Sequence, residues 1–259
     1  MRCTPETPAM KRQPRTHGVG PAWLLAVFAL GVLAADAAQA KSFFESIWSY
    51  RSDVKYLLGQ HLQIVGMASA LSIAIGIPLG IWLSRPRMRR YAETIMQVLN
   101  IGTTVPTLAK LAIAMLFVGI GTGSAVFGLT LAILLPIVRN AYTGLISVAP
   151  HLIDAARGMG MQPLQILWRV EVPNALNVIV AGVRTAVTYG TGTAALAFLV
   201  GGGGLGELIF TGIDTAEPAM MLAGAITTCL LAVTVDFLLY QIQFWLIPRG
   251  VNPFRPVRA

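Results

Sequence analysis

The chain has 259 residues, of which 55% are hydrophobic and only 12% charged, and its formal net charge is +8. Soluble domains carry about 25% charged residues, so this composition excludes an ordinary soluble globule and indicates a polytopic membrane protein. Nucleic acid is not the implied partner of the positive charge, because Lys and Arg gather at the ends of apolar stretches, where they orient a chain in the lipid membrane.

Residues 1–40 combine a basic tail with an apolar run from Ala22 to Ala35. That run suits either a signal-peptide core, ending in the small-x-small triplet Ala38-Gln39-Ala40, or an additional N-terminal helix. Residues 41–60 mix aromatics with charges and read as an interfacial segment on the outer face. Five spans then follow in an all-α core, residues 61–247. The first, Leu62–Ser84, ends at Arg85, Arg87, Arg89 and Arg90, which mark the cytoplasmic side. Span two runs outward over about Ala92–Val118, and span three runs inward over about Ala125–Arg139. Span four runs outward over Asn174–Val200, and span five runs inward over Ala219–Leu246. Residues 248–259 carry three arginines and no acid, as a cytoplasmic tail should. Barrel-type alternation is not visible, and an open sheet would leave backbone groups unpaired in lipid.

The stretch 150–173 falls on the cytoplasmic side between spans three and four. Asp154, Ala155, Ala156 and Arg157 suit a short helix that Gly158 and Gly160 end. Pro163 restarts a second short helix with Leu164, Leu167 and Trp168 on one face, and Pro173 is expected to stop it at the membrane boundary. The product is either a rigid elbow able to transmit a push or an ordinary helical connection.

The spacing Asp154-Ala155-Ala156, three residues, Gly160, nine residues, Val170-Glu171-Val172-Pro173 resembles the coupling loop of permease subunits of ATP-binding-cassette importers. Their pattern is Glu-Ala-Ala, three residues, Gly, nine residues, Ile-x-Leu-Pro. Asp replaces Glu here, and Val stands twice for larger aliphatics. Over residues 58–245 the stretches "IGIPLGIWLSR", "LLPIVRNAYTGL" and "GGGGLGELIFTGI" resemble the branch that imports osmoprotectants such as glycine betaine and choline. The resemblance implies a five-helix permease core of the type I importer kind in the bacterial inner membrane. It further implies a second permease copy or homologue, an ATP-binding subunit gripping the coupling loop, and an extracytoplasmic substrate-binding protein. ATP would be bound by the partner subunit, and no cofactor is expected on this chain, which lacks a G-x-x-x-x-G-K-[ST] loop. Lys110 departs from the branch, which has an apolar residue there; a cation near the path would repel a cationic substrate.

Other residues invite weaker readings. Arg184 and Asp236 each lie about 15 Å from the cytoplasmic end of consecutive antiparallel spans and are expected either to form a buried ion pair or to reach separate wet surroundings. Lys110 either snorkels to the outer interface or lines the path. Gly201-x-Gly203-x-x-Gly206 matches a dinucleotide fingerprint, but it follows a membrane helix outside the cell and reads better as a flexible or re-entrant turn, with Gly203 and Gly206 as candidate gate positions. Gly76-x-x-x-Gly80 supports either close helix packing or, with Pro78, a bend. Cys3, Cys229, His17, His61 and His151 form no metal-ligand pattern, and no nucleophile–base constellation marks an enzyme. Competing functions are a secondary transporter or channel acting without an ATPase, a permease for amino acids or phosphonates, and a membrane scaffold.

Overall fold

The computed structural model describes residues 37–247. The signal-like run, Cys3, His17 and the basic tail 248–259 lie outside the described residues. The chain divides into two compact units, and the second begins at Ser46 and holds all the packing that follows.

All the regular secondary structure among the described residues is helical, without a strand. Helix α1 (Ala37–Ser49) is followed by α2 (Arg51–Leu83), a rod of 33 residues and about 50 Å. The expected boundary at residue 60 between an interfacial segment and the first span is therefore absent, and the break falls at Tyr50. Nothing between Arg51 and His61 stops a helix except the single Gly59, and Leu57 gains burial against Leu205 and Leu208. Burying a leucine contributes about 1.5–3 kcal/mol, enough to hold the extra turns in register.

The second span is broken. Helix α3 (Arg89–Thr104) and helix α4 (Thr107–Val118) meet at 98°. Pro106 has no N–H and forces its predecessor out of the helical region; Val105 accordingly sits at ψ 124°. Thr103 and Thr104 donate their hydroxyls to the carbonyls of Asn100 and Ile101, occupying acceptors in the last turn of α3. Helix α3 is amphipathic and buries only Ala92, whereas α4 is apolar and buries Leu111 and Ala114.

Helix α5 (Thr122–Ile146) is the centre of the bundle and packs against α2, α4 and the later helix Val172–Thr193. It runs seven residues beyond Arg139, so that arginine lies within the span rather than at its end. No proline or exposed glycine interrupts Asn140–Ile146, and Pro150 begins the next helix. Gly76 and Gly80 of α2 serve close packing against α5. A Cβ on Gly80 would lie 2.5 Å from that of Ala141, and one on Gly76 would lie 2.9 Å from Ile137 Cγ2. Around this contact Ile64, Ala68, Leu129, Ile133, Ile137 and Ala186 form the core.

Four helical rods are long and apolar enough to cross a membrane, and the α3–α4 pair makes a fifth crossing if counted as one span. The rod at the fourth crossing (the fourth rod, counting the α3–α4 pair as the second crossing) is unbroken from Pro163 to Val200. It comprises α7 (Pro163–Ile166), a π-turn (Leu167–Glu171), α8 (Val172–Thr193) and a 3₁₀ segment (Ala194–Val200). After an outer loop come α9 (Gly206–Asp214) and α10 (Pro218–Leu246).

Candidate functional site

In the segment that the arginine cluster assigns to the cytoplasmic side, α6 (Pro150–Gly158) opens on a proline, which suits a first turn that has no N–H to pair. Asp154, Ala155 and Ala156 lie on it; Ala156 is buried, while Asp154 and Arg157 form an exposed pair at 3.3 Å. Gly160 adopts φ +76°, the left-handed conformation that releases the chain from a helix, and its surroundings are open. Gln162 and Gln165 cap each other at the start of α7. From there the chain differs from a two-helix elbow: Pro173 stops nothing. It sits in the first turn of α8, entered through a π-turn in which the Val172 N–H reaches back to the Leu167 carbonyl. The wider turn accommodates the missing proline donor, and Asn174 Nδ2 donates to the Val170 carbonyl at 2.7 Å. The elbow is thus one short helix, α6, joined by a glycine turn to the inner end of the fourth rod. Leu152, Met159, Leu164 and Trp168 of this region are exposed apolar side chains.

A feature not read from the sequence braces this end. Arg85, the first of the arginine cluster, donates to Glu171 at 2.5 Å and to Ser84 Oγ at 2.8 Å, tying α2 to the π-turn. The only signal was the acidic residue inside the Val170–Pro173 motif, which had no assigned partner.

Within the apolar layer Arg184 and Asp236 meet as a two-pronged pair, Nε to Oδ1 at 2.7 Å and the second nitrogen to Oδ2 at 2.5 Å. Thr188 adds a hydroxyl donor to Asp236, and the Arg184 guanidinium lies 4.9 Å over the Tyr240 ring. The matched depths of the two charges bring them together across α8 and α10.

Lys110 is turned into the chain, 9% exposed, with no ion pair among the described residues. It lies one turn past the Pro106 break, near the Thr107 hydroxyl, which bonds the Tyr189 hydroxyl at 2.8 Å. Below the break, α3 and α5 enclose a cleft of about 500 Å³. Its polar wall is Arg139, Asn140, Asn100, Thr103 and Thr143; Met96, Leu99 and Leu135 line the rest.

The outer glycine loop is packed rather than loose. Gly201, Gly203 and Gly204 have positive φ, and the Gly204 N–H donates to Gln60 Oε1 at 3.0 Å. A Cβ on Gly203 would strike that same Gln60 oxygen, and one on Gly206 would strike the Ala195 carbonyl. Beside them His61 is fully buried, its Nε2 2.9 Å from the Thr191 carbonyl. Gly203 and Gly206 therefore make close contacts with α2 and with the outer end of the fourth rod.

Comparison with known proteins accords with this architecture. Residues 76–249 match the family described as binding-protein-dependent transport system inner membrane component. An osmoprotectant import permease protein of Salmonella typhimurium is 46% identical over 195 residues, covering 75% of this chain and 83% of the relative. A carnitine transport permease protein of Listeria monocytogenes is 40% identical, with 76% and 89% covered. Among solved structures, an inward-facing MetNI methionine ABC transporter chain aligns with a TM-score of 0.68 at 24% identity, covering 77% of this chain and 96% of that one. The chain belongs to the binding-protein-dependent transport family and is a membrane-spanning permease of the ATP-binding-cassette importer kind.

Proposed function

We propose that this permease imports an osmoprotectant of the quaternary-ammonium class across a bacterial inner membrane. The observation that carries the reading is the identity of 46% to a permease named for osmoprotectant import, with 40% to one named for carnitine. The exposed apolar side chains Met159, Leu164 and Trp168 give the elbow a docking face for an ATP-binding subunit, which supplies the ATP site this chain does not need. A substrate-binding protein delivers the solute at the outer face, and a second permease copy or homologue completes the path. Lipid covers the remaining apolar surface, and nucleic acid has no role. The chain acts as a conduit and carries out no reaction of its own.

Uptake of radiolabelled glycine betaine, carnitine and choline by cells carrying the complete transport system, with and without this chain, tests the proposal. Uptake of at least one of the three that depends on the chain is expected. Failure of all three, with the chain present in the membrane, would overturn the osmoprotectant reading.

A further inference from the structure

The apolar layer is unevenly charged. Away from their end turns, its rods and α4 carry Lys110, Arg139, Arg184 and Asp236, and the one acid among these is already engaged by Arg184. Lys110 and Arg139 are left as surplus cations, neither forming an ion pair among the described residues. They stand on opposite sides of the Val105–Pro106 break. Lys110 lies about 12 Å from the outer end of α4, and Arg139 lies about 10 Å from the inner end of α5. Arg139 is exposed and lines the cleft between α3 and α5, so its guanidinium is free to meet an anionic group there.

The cleft supplies a matching shape. Arg139 presents planar donors, and Asn100 and Thr103 add polar groups from the facing helix. Asn140 spends its amide nitrogen on the Pro136 carbonyl at 2.8 Å. Among the described residues, the cleft wall contains neither a carboxylate nor an aromatic ring, the two groups that hold a quaternary ammonium by charge or by its π-face. Met96, Leu99 and Leu135 offer only apolar contact, suited to methyl groups.

We propose that the α3–α5 cleft is a binding station for the carboxylate end of the transported solute, with Arg139 as its anchor, so that the permease favours carboxylate-bearing zwitterions such as glycine betaine over the carboxylate-free cation choline. This rests on the quaternary-ammonium reading above and names the subclass within it. The cation surplus repels a solute with net positive charge and is neutral toward one whose charges cancel.

The test uses the permease assembled with its ATP-binding subunit in uncharged maltoside micelles, without the substrate-binding protein and without acidic lipid. Binding of radiolabelled glycine betaine and choline is measured for the wild type, Arg139→Gln and Arg139→Lys. Glycine betaine should bind and choline should bind ~10-fold or more weakly. Arg139→Gln should abolish the difference, and Arg139→Lys should retain part of it. Equal binding of the two ligands by the wild type, or an Arg139→Gln complex that keeps the preference, overturns the proposal. So does an assembled complex that binds neither ligand while the complete system imports glycine betaine, an outcome that leaves the import reading standing. Import of none of the quaternary ammonium solutes by the complete system would remove that reading as well.

Discussion

The outer loop 201–206 and the inner turn around Gly160 both depend on glycines with positive φ, yet they differ in what surrounds them. At the outer loop the glycines are enclosed: a Cβ on Gly206 would meet the Ala195 carbonyl, and one on Gly203 would meet Gln60. At the inner turn a Cβ on Gly158 or Gly160 meets nothing within 4 Å. The outer glycines thus serve packing within the chain as well as backbone conformation. Gly160 serves conformation alone, and the empty space about it is available to another molecule. The ATP-binding subunit proposed above would meet this open turn, where no contact of the chain itself stands in the way.

The largest effect that would break this contrast is at Gly206. Gly206→Val should prevent folding, since a backbone carbonyl cannot move aside as a flexible side chain can; fluorescence-detected size exclusion should show loss of the monodisperse peak, and a normal peak would refute the close approach. Gly160→Trp comes next. It should leave insertion and the elution profile unchanged apart from the left-handed strain of roughly 1 kcal/mol, while lowering uptake by ~10-fold or more through collision with the docked subunit. Gly160→Asn, which tolerates that backbone conformation, should transport nearly normally. Uptake by the Trp variant equal to that of the Asn variant would show that nothing docks there.

A smaller effect is expected at the Arg184–Asp236 pair. Removing either partner alone should destabilise by about 1–3 kcal/mol, because the other loses its two-pronged hydrogen bond while its side chain is only partly exposed. Removing both should restore part of the loss, and thermal melts of the two single variants and the double variant read the coupling. Strict additivity would mean that the pair contributes nothing. The smallest effect is at the outer face, where the Tyr50 hydroxyl donates to Glu217 at 2.5 Å. That hydrogen bond and the nearby negative charge hold the Tyr50 phenol above its ordinary range. Because the folded pKa is raised, the contribution is complete below about pH 10, the value of a free tyrosine, and is lost only as pH rises through the folded pKa. Tyr50→Phe should therefore narrow the difference between melts at neutral and strongly alkaline pH by a small amount.

Much of this arrangement was legible in the sequence because the membrane imposes simple rules. Apolar runs bounded by arginines located the rods, and equal depth on antiparallel neighbours singled out Arg184 and Asp236. Pro106 and Pro173 were harder, since proline has two outcomes. With Val105 driven extended before it, Pro106 broke a span that apolar content alone had drawn as one helix. Pro173 was absorbed because one extra residue in the preceding turn relieved its clash, and no local pattern announces a π-turn. The Arg85–Glu171 brace was hidden for another reason. It joins residues 86 apart whose proximity follows from tertiary packing, and the arginine already had a sufficient explanation in the positive-inside rule. The cleft at Arg139 required knowing that α5 continues past it.

The unbroken rod from Pro163 to Val200 spans 38 residues without an intervening loop. If the ATP-binding subunit docks as proposed and shifts Leu164 sideways, it moves a beam whose far end carries the outer glycine loop. With α5 as its fulcrum at the tight Gly144 and Gly182 contacts, an inward stroke at one tip becomes an outward swing at the other. Opening on one face and closure on the opposite face are then one rotation rather than two separately timed events.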